Sequence, residues 1–193
     1  MFEHFLAALL SYLLGSIPFG LLLTKAAGLG DIREIGSGNI GATNVLRTGN
    51  KKLAAATLFL DGAKGAVAVL LVGHFAPSLT SVAALGALIG HLFPVWLKFK
   101  GGKGVAVGIG VMTALIWPVG VTMMVMWLAI AKRFKISSLA ALIAFGFVPI
   151  DVMIFNRTDL VPMSVVIATL IFFMHRENIR RLFLHTEPTI GQK

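Results

Sequence analysis

The feature that most constrains this chain is a succession of apolar runs, most of them close to bilayer length, separated by short polar loops. They cover roughly residues 5–27, 53–75, 78–97, 104–117, 118–131, 138–155 and 160–174. A helix rises about 1.5 Å per residue and needs about 20 apolar residues to cross roughly 30 Å of hydrocarbon. With 57% apolar residues, 13% charged residues and a mean hydropathy of +0.89, lipid is the natural solvent for such a chain. The expected fold is an all-α membrane protein, a polytopic bundle of about seven transmembrane helices forming one domain over residues 1–193. The first run follows Glu3 and His4 with no Lys or Arg before it, so it lacks the basic head of a cleaved signal peptide and reads as a retained helix.

Residues 104–131 could form one long tilted helix or two short ones broken at Trp117-Pro118, and charge decides between them. With two, all of the 17 Lys and Arg residues except Lys64 and Arg157 fall on one side of the membrane. Basic loop residues stay cytoplasmic, which puts the N-terminus outside and the C-terminus in the cytoplasm. Two passes of about 14 residues reach only about 21 Å, so these helices must be short, tilted or partly embedded. The same loops account for the net charge of +9, and no aromatic-interleaved soluble basic surface is present to bind nucleic acid. The chain has no cysteine, hence no disulfide, thiolate nucleophile or cysteine metal site.

The inner loops are also rich in glycine and amide side chains. Gly36 to Gly41 match the G-x-G-x-x-G dinucleotide fingerprint, but the preceding residues are too charged for a buried strand and a membrane span follows, so a Rossmann domain is rejected. The physics of such a loop still applies, because glycines let backbone N–H groups close on an anion. Ser37, Gly38, Asn39, Thr43 and Asn44 supply neutral groups there, and Arg47 supplies a fork suited to phosphate. The plainer reading is a polar turn capped by Ser37 or Asn39.

A second loop places Lys103 among Gly101, Gly102 and Gly104, a backbone nest around an ammonium that lacks the pattern of a Walker A loop. Lys98 and Lys100 read as interfacial anchors. His91, between Gly90 and Pro94, is a base, a phosphate ligand or a histidine satisfied by a neighbouring backbone. Asp61 and Lys64, three apart, share a helix face as an ion pair, read as structural. His4, His74 and Asp151 lie near the outer face and are given no chemistry. Arg176, Asn178, Arg181 and Glu187 follow the last span, and surface anchoring explains only the arginines.

Known catalytic constellations are missing: H-E-x-x-H and G-x-S-x-G do not occur, and none of the five histidines has Asp five positions on. Chemistry here must come from positioning and electrostatics.

Five ordered blocks nonetheless resemble the bacterial acyl-phosphate:glycerol-3-phosphate acyltransferases over nearly the whole chain. They are Gly15-Ser-Ile-Pro-Phe-Gly20, Gly36-Ser-Gly-Asn-Ile-Gly-Ala-Thr-Asn-Val-Leu-Arg47, Asp61-Gly-Ala-Lys-Gly65, Gly90-His-Leu-Phe-Pro94 with Lys100-Gly-Gly-Lys-Gly-Val-Ala106, and His175-Arg-Glu-Asn-Ile179 with Arg181-Leu182. The resemblance implies transfer of a fatty acyl group from acyl phosphate to the 1-hydroxyl of glycerol 3-phosphate, giving lysophosphatidic acid and inorganic phosphate. It implies membrane lipid as the setting and the cytoplasmic face of the inner membrane as the place; no cofactor and no metal ligand is assigned, and assistance by a divalent ion is left open.

By position, Ser37, Gly38 and Asn39 would form part of a phosphate pocket, with Thr43, Asn44 and Arg47 nearby and Gly102 and Lys103 completing it. His91, Ser138 and Asn178 would surround the reacting carbonyl or the glycerol hydroxyls. Where the family usually has Gly before Thr-Glu, this chain has His185. Two rival classes are a small transporter of an organic phosphate, whose marker would be two matching broken-helix halves, and a non-catalytic scaffold for anionic lipid.

Overall fold

The computed structural model describes residues 1–191, and every regular element among them is helical. The described residues form two compact units, 1–111 and 112–191.

The first unit begins with α1 (Phe2–Gly15) and α2 (Phe19–Ala26). They part at Pro18, which has no N–H to continue the ladder. α3 (Ala42–Val45) is a single turn, and α4 (Lys51–Phe75) starts where the Asn50 side chain accepts the Leu53 N–H at 3.0 Å. α5 (Thr80–Leu92) and α6 (Val105–Leu115) follow. Small residues bring the helices into backbone contact. A Cβ on Gly15 would collide with the Ala87 backbone between α1 and α5, and one on Gly110 with the Gly62 carbonyl between α6 and α4. The Tyr12 hydroxyl ties α1 to the end of α5 by donating to the Phe93 carbonyl at 2.8 Å.

The polar loop between α2 and α4 has its own core. Leu21, Ile32, Ile40, Val45 and Ala54 are buried together, with Ile35, Leu46, Leu53 and Leu97 packed around them. This cluster anchors the glycine loop, which would otherwise have only its polar groups to hold it.

In the second unit α7 (Trp117–Phe134), α8 (Ser137–Ile154) and α9 (Val161–Met174) run in sequence, α8 packing against both neighbours, and α10 (Arg176–Phe183) closes the series. The ambiguous stretch 104–131 is two helices. The ladder stops at Leu115, Ile116 is extended (φ −152°, ψ 88°), and a Cβ on Gly120 would strike Thr113, so the chain folds back on itself. Pro118 stands in the first turn of α7, where its missing N–H costs nothing.

Each of the seven apolar runs is helical over most of its length. Among the described residues four stretches, Phe2–Ala26, Lys51–Phe75, Pro77–Leu97 and Ser137–Ile154, are long and apolar enough to cross a membrane. A fifth is added if Thr158–Met174 and Arg176–Phe183, bent by 63°, count as one. α6 has 11 residues, and the last turn of α7 carries Lys132 and Arg133.

Candidate active site

The glycine loop is shaped by one side chain. Asn44, buried in α3, directs its amide hydrogens at the carbonyls of Ile32 (2.9 Å), Ile35 (3.0 Å) and Asn39 (2.8 Å), and its oxygen accepts the Ser37 N–H at 3.2 Å. Those bonds consume the amide, so Asn44 braces the loop from within. Gly36 takes φ +54° with Arg47 packed against it, and Gly38 takes φ +69°. A side chain at either position would be strained. The Asn39 side-chain oxygen accepts the Gly41 N–H at 2.9 Å. Ser37, Gly38 and Thr43 are exposed, and Asn39 and Arg47 are half-buried.

A cavity of about 580 Å³ opens between this loop and the one after α5. Ser37, Gly38 and Asn39 wall one side, and Lys98, Lys100 and Gly101 wall the other. Gly102 and Lys103 follow Gly101 directly. Lys98 and Lys100, expected as interfacial anchors, therefore face the same space as the glycine loop. Arg33, which sequence reasoning passed over, also lines it. Arg33 meets Asp31 through two nitrogens at 2.9 and 2.5 Å, while Lys25 lies 3.4 Å from that carboxylate. The Arg33 hydrogen bonds hold the Asp31 carboxyl well below the usual carboxylate range. A run of Asp-x-Arg beside a glycine loop was the available signal.

The second loop closes on the end of α5. Gly101 N–H donates to the Leu92 carbonyl and Gly102 N–H to the His91 carbonyl, both at 3.1 Å, satisfying two orphan carbonyls of the helix. This lays Gly102 against the His91 ring so closely that a Cβ there would collide with Nε2. On its other side His91 Nδ1 lies 3.0 Å from the Lys64 ammonium. Lys64 pairs with Asp61 at 2.8 Å, the contact expected from their three-residue spacing, and donates to the Ile17 carbonyl at 2.6 Å. All three side chains are buried.

In the second unit Ser138 and Asn178 meet at Glu187. Oε1 of Glu187 accepts from the Ser138 hydroxyl at 2.6 Å and from the Asn178 amide at 2.5 Å, and Oε2 accepts from Arg181 Nε at 2.7 Å. Burial pushes this carboxyl up, but the three donors outweigh it and its pKa falls below the ordinary glutamate value. Ile190 N–H donates to the Lys135 carbonyl at 2.6 Å, which holds the tail on the start of α8. His185 stands at φ +57°, a left-handed conformation that glycine takes freely and a side chain strains.

Comparison with known proteins decides which chemistry this arrangement serves. A family model described as glycerol-3-phosphate acyltransferase matches residues 5–185. The chain belongs to the glycerol-3-phosphate acyltransferase family. It is 60% identical over 188 residues to the glycerol-3-phosphate acyltransferase of Mesorhizobium japonicum, covering 97% of this chain and 96% of that one. It is 56% identical over 195 residues to one from Rhodopseudomonas palustris, covering both chains fully. Among solved structures it is similar to PlsY (YgiH), an integral membrane glycerol 3-phosphate acyltransferase. To the glycerol 3-phosphate form the TM-score is 0.91 at 35% identity, over 97% of this chain and 96% of that one. To the lysophosphatidic acid form it is 0.90 at 34% identity, over 97% and 95%. Membership in this acyltransferase family sets aside the transporter and scaffold alternatives, and the protein has an integral-membrane fold.

Proposed function

We propose that the chain transfers a fatty acyl group from acyl phosphate to the 1-hydroxyl of glycerol 3-phosphate, releasing lysophosphatidic acid and inorganic phosphate. The observation that carries this reading is the acyltransferase family match over residues 5–185, joined to a cationic, glycine-lined cavity between two loops. The hydroxyl oxygen bonds to the acyl carbon, the bond from that carbon to phosphate oxygen breaks, and phosphate leaves. Acyl phosphate is an activated mixed anhydride, so alignment and neutralisation of phosphate charge are most of the work. A phosphate oxygen of the substrate takes the hydroxyl proton.

Ser37, Gly38 and Asn39 hold phosphate through backbone and side-chain donors, with Arg47, Gly102 and Lys103 completing the cradle and Thr43 at its edge. Asn44 acts by shaping that loop. Lys98, Lys100 and Arg33 add positive charge to the cavity wall. His91, Ser138 and Asn178 attend the reacting carbonyl and the glycerol hydroxyls, Glu187 orienting the latter two. The chain works as one catalytic domain.

About seven spans with the N-terminus outside and the C-terminus in the cytoplasm put nearly all Lys and Arg on the inner side, supporting a bacterial inner-membrane enzyme whose site faces the cytoplasm. The test gives purified protein acyl phosphate and glycerol 3-phosphate and follows inorganic phosphate, with acyl-CoA and acyl-carrier protein offered as competing donors. Phosphate release that requires both substrates is expected. Release without glycerol 3-phosphate, or equal use of acyl-CoA, would refute it.

A further inference from the structure

Lys64 and Asp61 are an intramembrane ion pair for which the proposed reaction has no direct use. The lysine nevertheless reaches beyond its partner. Its ammonium contacts the Ile17 carbonyl at 2.6 Å, the Asp61 carboxylate at 2.8 Å and His91 Nδ1 at 3.0 Å, and the Phe19 ring lies 5.7 Å away. An ammonium has three hydrogens and no lone pair, so the imidazole nitrogen facing it must be the acceptor. The Asp61 carboxylate lies 3.8 Å from that nitrogen, outside hydrogen-bond range for an N–H there. With Nδ1 engaged as acceptor, the ring proton sits on Nε2, at the edge pressed against Gly102.

We propose that Lys64, held by Asp61, is a positioning residue that locks His91 in the Nε2–H tautomer. His91 thus presents a hydrogen-bond donor, and no basic nitrogen, toward the Gly101–Gly102 turn. The donor is aimed at an oxygen of the phosphate or of the reacting carbonyl, which rests on the acyltransferase reading above. Glycine at 102 is part of the device, since any side chain there would push the ring edge away. Asp61 supplies the opposite charge beside the buried lysine and holds it in place.

The tautomer can be read without reference to activity. In protein carrying ¹⁵N-histidine in lipid nanodiscs, His91, assigned by its loss in His91→Gln, is expected to show a pyridine-like Nδ1 and a pyrrole-like Nε2. Lys64→Met alone strands Asp61, so the lysine is removed in Lys64→Met with Asp61→Asn, and the fixed tautomer should give way to a mixture. A pyrrole-like Nδ1 in the wild type, or an unchanged tautomer in the double variant, overturns the proposal. In the phosphate-release assay His91→Ala should lower kcat by about 10²- to 10³-fold, the range for one lost donor. His91→Gln, whose amide N–H stands in for Nε2–H, should recover at least about tenfold of that. Equal loss in Gln and Ala variants would mean a base and overturns the donor role. Failure of the acyltransferase reading is distinguishable, because it leaves the wild type without phosphate release whatever tautomer is seen.

Discussion

Asn44 offers the sharpest test of how the phosphate loop is built, because its replacements by alanine and by aspartate should rank in an unusual order. Its amide supplies two hydrogens shared among the carbonyls of Ile32, Ile35 and Asn39, and its oxygen accepts from Ser37. Counting three hydrogen bonds' worth at about 1 kcal/mol each, Asn44→Ala removes about 3 kcal/mol from the ordered loop. If the ordered loop is what holds phosphate, that is roughly a hundredfold loss in kcat/KM, at about 1.4 kcal/mol per decade. Asn44→Asp keeps the acceptor for Ser37 but sets a carboxylate oxygen against three carbonyl oxygens now 2.8–3.0 Å from the amide nitrogen. It should therefore be worse than alanine, although it is the closer isostere. Phosphate release at varied glycerol 3-phosphate, in variants whose melting in detergent is checked alongside, gives the answer. If Asn44→Asp matches or exceeds Asn44→Ala, the amide hydrogens do not carry the loop and the reasoning fails.

Gly102→Ala, whose Cβ would overlap the His91 ring, should cost about 1–3 kcal/mol of packing and cut turnover at least tenfold, read in the same assay. Lys103→Ala should abolish nearly all turnover with the fold intact by circular dichroism, whereas mere membrane anchoring would leave turnover in place. Because the Glu187 pKa is lowered in the folded protein, its hold on Ser138, Asn178 and Arg181 is complete above the unfolded glutamate value of about 4.3 and is lost as pH falls through the folded one. Protection of residues 184–191 against hydrogen exchange, taken relative to the intrinsic rate at each pH, should thus be flat from pH 8 to about 5 and fall in acid, and Glu187→Gln should remove that fall. His185→Gly relieves a left-handed non-glycine residue and should be neutral or stabilise the tail by up to about 1 kcal/mol, measured as a small rise in melting temperature.

Much of the fold was legible because its determinants are local. A run of 20 apolar residues reads as a lipid-embedded helix whatever surrounds it, Pro118 marks a real interruption, and the spacing of Asp61 and Lys64 puts them together on any helix, whereas the first run, read as one helix, is parted at Pro18. The glycine loops were legible for the same reason, since Gly36 and Gly38 do take positive φ. What could not be read is which polar groups remain available for a ligand. Asn44 and Arg47 look equally suited to phosphate in sequence, yet Asn44 turns inward to carbonyls of its own loop. Lys98 and Lys100 looked like interfacial anchors until the path of the chain put them on the cavity wall.

By itself, then, the sequence determined the solvent, the helices and the loops from which a phosphate site can be made, because hydrophobic length, glycine and proline act over a few neighbouring residues. Only the tertiary structure decided the partners: Lys64 with His91 across 27 positions, and Ser138 with Glu187 across 49. Hydrogen bonds are satisfied in space, and a donor's availability depends on what the fold brings within about 3 Å of it.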